Sequence, residues 1–221
     1  MQGGDLGYLI ARFIALRYGR THCKAHHINN AAPAEPSNLI DPPPLSAAEL
    51  DGLSRTAEFS LTGNGYYRLA STRPQTIGYS LVDSPVGLLA WIYEKLHDWA
   101  DPSYVWTDDE ICTWVSIYWF STPGPAASSR PFYENERRTP KGAFAAAQAY
   151  AADVPLGVAR FTKDIVLLPR HWNKTLGPVV YESEYQVGGH FAAWERPDAI
   201  AKDLEVMFRT GGPAYSALTR M

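Results

Sequence analysis

The sequence predicts an α/β fold: the C-terminal half of a mostly parallel sheet with a helical cap inserted in its middle. Three observations carry this expectation. Gly3-Gly4-Asp5-Leu6-Gly7 puts an acid in a glycine-lined turn that runs straight into an apolar helix. Two β-like runs, Val154–Phe161 and Gly177–Tyr185, follow only after a long gap. The gap, residues 46–149, carries helix signals along its length, so the core elements enclose an excursion rather than simply alternating.

Each element follows from local chemistry. Gly3-x-Asp5-x-Gly7 has the spacing of a nucleophile elbow, the sharp strand-to-helix turn that displays a reactive side chain, with Asp where Ser is usual. Residues 7–18 read as a buried helix, because Leu9, Ile10, Phe13, Ile14 and Leu16 leave only Arg12 and Arg17 clearly polar. Gly19 ends it. His22–Ile28 reads as a short strand closed by Asn29-Asn30. The prolines of the following stretch forbid helix and favour an extended excursion.

Ser46 with Glu49 three residues on makes a capping box for a helix through Ser54. Pro85 opens a helix over 85–98, and Thr107 before Asp108-Asp109-Glu110 opens another. "PGPAASSRP" breaks that helix, and the Ala-rich "KGAFAAAQAYAA" reads as helical again. The two late runs read as buried strands. Arg196–Arg209 closes the pattern as an amphipathic helix with Ile200, Leu204, Val206 and Phe208 available for packing. The expected division is therefore core over 1–40, cap over 41–150 and core again over 151–221.

Composition bounds the function. Of 221 residues 46% are apolar, enough for a sizeable core, and the net charge of −3 gives no reason to expect nucleic acid or an anionic membrane as partner. No apolar run approaches the ~20 residues that span a bilayer, and no signal-peptide pattern opens the chain. The 13 Tyr, 8 Phe and 7 Trp suggest an aromatic-lined cavity or a densely packed cap. Cys23 and Cys112 fit no metal or redox spacing and read as free buried thiols, which points to a reducing compartment. His22, His26 and His27 contain an i,i+4 pair that suits a metal on a helix, but the segment reads as strand and no carboxylate completes the set. No cofactor is implied.

The chemistry-bearing residues come in the order Asp5, Asp164, His190. An Asp nucleophile forms an ester, then needs a base to activate water and an acid to orient that base. Nucleophile, acid, histidine is the chain order of α/β-hydrolases. Asp164 follows the first late strand and His190 the second, so the strand ends of one parallel sheet can gather all three at its C-terminal edge. Gly188-Gly189 lets the loop turn tightly and present His190. Singly, each has a plainer reading as a turn acid, a solvated carboxylate or a packed histidine. Their joint order carries the argument.

"STRPQTIGYSLVDSPVGLLAWIYEKL" closely resembles a segment of the microsomal-type epoxide hydrolases, including the juvenile-hormone-processing relatives, as do "GGDLG", "VPLGVARF" and "GGHFAAWERPD". The most specific parts are Thr72-x-Pro74-x-Thr76-x-Gly78 with Asp83-Ser84-Pro85, and Gly188-Gly189-His190-Phe191-Ala192-Ala193. The resemblance runs from Gly3 to about Phe208. It implies an incomplete α/β-hydrolase fold with a cap, and hydrolysis of an epoxide to a vicinal diol through an ester on Asp5. His190 is then the base and Asp164 its acid. Two cap tyrosines bind the epoxide oxygen: Tyr66 in "GNGYYRL", with neighbouring Tyr67 leaving the choice open by one residue, and Tyr133 in "SSRPFYEN".

The backbone amide of Leu6 is one oxyanion donor by the same resemblance, although relatives usually carry Trp at that position. The partners implied are an apolar epoxide and water, with no nucleic acid and no membrane attachment indicated in this chain. The cellular place implied is cytoplasmic or membrane-associated. The family also has strands and a His-Gly-Trp type loop ahead of the elbow, so a missing N-terminal half is expected. The competing expectation is a non-catalytic remnant that acts as a binding or interaction module.

Overall fold

The computed structural model describes residues 1–19, 21–37, 41–137 and 142–219. Its sheet has four parallel strands adjacent in chain order: β1 (Gln2–Gly3), β2 (His26–Asn29), β3 (Leu156–Phe161) and β4 (Val179–Tyr185). Parallel neighbours need crossovers. The apolar helix α1 (Leu6–Tyr18) joins β1 to β2, and the whole helical excursion joins β2 to β3.

Strand alternation assigns the two faces. Ile28, Leu156 and Val158 pack with Tyr8 and Leu9 of α1 and with Leu176. From the other face Ala159 and Phe161 meet Ala192 of α9 (Ala192–Glu195) and Ala199 and Ile200 of α10 (Pro197–Phe208). The sheet is thus covered on both sides, as parallel sheets require.

Three expected elements are corrected. β2 begins at His26, not His22, because the amides of His22 and Cys23 turn back to the Tyr18 carbonyl before the chain enters the sheet. β4 is the half-buried edge of the sheet rather than a buried strand. One face of it presents Tyr181, Ser183 and Tyr185 to α10, while Glu182 and Glu184 on the other pair with Arg170 (3.6 Å) and Arg160 (3.4 Å). On α10 itself the buried positions include Asp203 and Met207, whereas Val206 is half-buried. Asp203 accepts from the hydroxyls of Tyr181 (2.8 Å) and Tyr185 (2.5 Å) and faces His27 Nε2 at 3.4 Å. Burial alone would raise its pKa, but the donors His27, Ser183, Tyr185 and Tyr181 hold it low.

Arg12 was expected only as a polar interruption of α1, yet it is 0% exposed. Its guanidinium donates to the carbonyls of Ala147 (3.0 Å), Ala149 (2.5 Å) and Leu176 (2.8 Å) and meets His26 Nε2 at 3.0 Å. Burial and then the Arg12 charge push the His26 pKa down to about 3, so the ring is neutral and its Nε2 can accept. One buried side chain thereby ties α1, β2 and two later segments. Arg12→Leu is expected to strand three carbonyls and a ring nitrogen, at about 1–3 kcal/mol for each group left unpaired. Urea unfolding should show a loss of more than about 3 kcal/mol, and an unchanged midpoint would refute the account.

The cap follows its local signals closely. Ser46 and Glu49 form a capping box, and α2 (Ala47–Glu58) runs past Ser54 into a π turn at Phe59–Gly63. Gly65–Thr72 forms α3, Pro74 opens α4 (Pro74–Asp83), and Pro85 opens α5 (Pro85–Trp99). Thr107 and Glu110 box the start of α6 (Asp108–Phe120). A 3₁₀ turn at Pro125–Ser129 leads into α7 (Arg130–Arg137), and the Ala-rich run is helical only as α8 (Gly142–Ala147). Lys141, where that helix was expected to open, and Ile40, the expected core–cap boundary, lie outside the described residues. Cys23 is buried but Cys112 is exposed, which corrects the expectation of two buried thiols; both are free.

Candidate active site

β1 ends at Gly3, α1 starts at Leu6, and the chain must reverse between them. A side chain on Gly3 would overlap the Gly7 carbonyl, so only glycine permits the turn. Asp5 takes φ 50° and ψ −121° there. A non-glycine residue in such a region costs about 1–3 kcal/mol and persists only where its surroundings enforce it. The result is a carboxylate that is 51% exposed at the sheet's C-terminal edge. Leu6 opens α1 beside it, and first-turn amides of a helix lack intrahelical acceptors.

The other strands deliver their own residues to the same edge. β2 is followed by Asn30, β3 by Asp164 and β4 by His190. His190 Nδ1 lies 2.9 Å from Asp164 Oδ1, and its Nε2 lies 3.6 Å from Asp5 Oδ2. Asp164 is buried, and its Oδ1 also accepts from Asn30 Nδ2 (3.0 Å) and the Ile165 amide (2.7 Å). Burial works against a charged His190, but Asp164 and then Asp5 override it and raise the pKa to about 10. Asn30 was read from sequence only as a strand end. Its role as a donor to Asp164 depends on strand order, which no local signal carries.

The cap closes over this edge with a cavity of about 170 Å³, whose lining includes Asp5, Leu6, Tyr66, Lys95, Trp99 and Tyr118. Burial and then the Asp5 charge raise the pKa of Tyr66, and the same two causes act on Tyr118. The Trp99 ring stands perpendicular to His190 at 5.2 Å and lies 4.9 Å from Tyr66. The Lys95 ammonium sits 4.2 Å from the Trp91 ring centroid and 5.4 Å from that of Tyr66. Tyr67 points elsewhere and donates to Glu136. Tyr133 does not line the cavity; its neighbour Phe132 does, and the Arg137 guanidinium sits 3.5 Å from the Tyr133 ring centroid.

Sequence reasoning missed Lys95, Trp99 and Tyr118. The signal was available as spacing, since Trp91, Lys95 and Trp99 share one face of α5, and Trp114 and Tyr118 one face of α6. Among the described residues no group of three His, Cys, Asp or Glu could hold a metal. His22 is exposed, while His26 and His27 are committed to Arg12 and Asp203. Among the described residues no helix is long and apolar enough to cross a membrane.

No family model matches the chain. A solved epoxide hydrolase from Aspergillus niger shares 36% identity and a TM-score of 0.76, over 92% of this chain and 50% of that one. The chain belongs to the epoxide hydrolases of α/β-hydrolase fold. Within that family, the solved juvenile hormone epoxide hydrolase of the silkworm Bombyx mori gives 27% identity and a TM-score of 0.74, over 92% of this chain and 52% of that one. Sus scrofa epoxide hydrolase 1 is 30% identical over 228 residues, 92% of this chain and 49% of that protein. The chain spans about half the length of the family members it matches. Its parallel sheet with many helices is consistent with an incomplete α/β-hydrolase fold over this span.

Proposed function

We propose that the chain carries the nucleophile, base and orienting acid of an epoxide hydrolase that makes vicinal diols through an ester on Asp5. The observation that supports this reading is one chain of contacts: a strained carboxylate, an imidazole 3.6 Å from it, and a buried carboxylate 2.9 Å beyond, beneath an aromatic cavity. An aromatic lining favours an apolar epoxide as substrate. On this reading 1–40 and 151–221 form the core, the latter carrying the acid and histidine, and 41–150 the cap that supplies the tyrosine donors and pocket wall.

In the first step an Asp5 oxygen attacks a ring carbon, the ring C–O bond breaks, and its electron pair stays on the epoxide oxygen. Tyr66 donates its phenolic hydrogen to that developing alkoxide. Tyr133 is the second donor by resemblance, and would have to leave Arg137 to serve. In the second step His190 takes a proton from water and the resulting hydroxide adds to the ester carbonyl, with the Leu6 amide facing the oxyanion. Collapse of the adduct frees the Asp5 carboxylate and an alkoxide, which takes back the proton held on His190 and leaves as the diol.

The electrostatics order these steps. Two carboxylates hold the resting imidazole protonated. Ester formation removes the charge of Asp5, the imidazolium proton passes through water to restore the Tyr66 hydroxyl, and only then is the neutral imidazole free to act as base. A binding module with no chemistry would have no use for an acid held at positive φ.

The test is a single turnover of styrene oxide in ¹⁸O-water. Label should appear in the Asp5 peptide, and diol formed with no label there would mean that water attacks the epoxide directly. Tyr66→Phe is expected to slow ester formation about 10²-fold while ester hydrolysis keeps its rate. Rapid-quench mass spectrometry separates the two, and equal slowing of both would remove Tyr66 from the donor role.

A further inference from the structure

The loop that carries His190 is held by two carboxylates that the mechanism above leaves unused. After β4 the chain passes beneath the end of α5. There the Gly188 amide donates to Asp101 Oδ2 at 2.7 Å, and the Gly189 amide to Glu195 Oε2 at 2.9 Å. The same Glu195 oxygen accepts the Asp101 amide at 2.7 Å, and the His190 amide donates to the Trp99 carbonyl at 2.9 Å. Asp101 Oδ1 is taken by the Ser103 amide at 2.8 Å.

The approach leaves no slack. A Cβ on Gly189 would lie 2.5 Å from the Asp101 nitrogen, and Gly188 sits at φ +108°. Asp101 is 4% exposed and Glu195 6%. Buried acids are expensive unless they are fully engaged, and here the engagement is with backbone amides on either side of one junction. Glu195 Oε2 carries both the Asp101 and the Gly189 amides, while burial raises the pKa of Glu195 against the pull of these donors and of the Phe191 amide.

We propose that Asp101 and Glu195 are positioning residues for the base: they lock the Gly188–His190 backbone to the end of α5. The cap and the imidazole then move as one unit. Trp99 lies inside this junction, with its ring against both Tyr66 and His190, so a ligand that shifts the cavity wall is mechanically coupled to His190. The inference rests on His190 being the base. Asp164 and Asp5 face the imidazole itself, whereas Asp101 and Glu195 face the loop backbone, with Lys163 acting on Asp101.

The experiment reads His190 in the full chain by NMR, without substrate: the imidazole titration and the low-field proton shared with Asp164. In the unsubstituted chain His190 should titrate far above an ordinary histidine. Glu195→Ala should lower that titration by about one unit or more and bring the shared proton into exchange with water. Glu195→Gln keeps an acceptor for both amides and should restore both signals. Arg12→Lys, which perturbs the α1 layer instead, should leave them in place, which separates positioning from general loss of stability. If Glu195→Ala does not fold, Asp101→Ala carries the same test through the Gly188 amide alone. A folded variant with an unmoved His190 titration and shared proton would overturn the proposal. The base assignment fails separately, if His190→Gln hydrolyses the ester at the original rate.

Discussion

His190→Gln is expected to leave the ester on Asp5 standing. Glutamine fills similar space and can still hydrogen-bond Asp164, but it has no basic nitrogen to take a proton from water. Ester formation does not need that base, since Asp5 attacks as the carboxylate it already is. Loss of a positioned general base costs typically 10²–10⁴-fold, so the second step falls below the first and the adduct builds up. Intact-mass analysis after mixing with styrene oxide should find about one epoxide per chain, and peptide mapping should place it on Asp5. The imidazole is the basic group seen in contact with both carboxylates, which leaves no substitute at that spot. Unchanged turnover in the variant would end the mechanism.

What could be foreseen was what local chemistry decides. The elbow was legible because Gly3 must be glycine where its Cβ would meet Gly7. The starts of α2, α5 and α6 were legible because Ser46, Ser84-Pro85 and Thr107 satisfy amides within their own first turns. The order Asp5, Asp164, His190 was legible because consecutive parallel strands expose successive C-terminal ends along one edge.

The failures share a cause. Arg12 looked like a break in an apolar helix because its acceptors lie 135 to 164 residues away. β4 looked buried because its sequence cannot report that it is the last strand of the sheet. Tyr118, one turn beyond Trp114, shows the limit of spacing as a guide, since it lines a cavity that helix spacing does not announce. Periodicity names a face but not what that face meets.

Asp5→Asn tests the other half of the site, and its effects should appear both in chemistry and in stability. Asparagine tolerates positive φ better than most residues, so the elbow should survive. The nucleophile is gone, no adduct should form, and turnover should fall by roughly 10⁴-fold or more. The electrostatic consequence can be read without substrate. In the unsubstituted chain His190 has a folded-state pKa raised to about 10 against about 6.5 in an unfolded chain. A raised pKa means that the folded state holds the proton more tightly. That stabilisation is fully present below about pH 6.5 and is lost as the pH rises through about 10. Asp5→Asn removes one of the two anions that hold the proton, so the folded pKa should drop and the upper edge of the window move down with it. Urea midpoints at pH 6 and pH 10 should therefore differ less in the variant than in the parent chain. If the two chains lose the same stability over that range, Asp5 is not an electrostatic partner of His190, and the ordering of the two chemical steps by charge loses its basis.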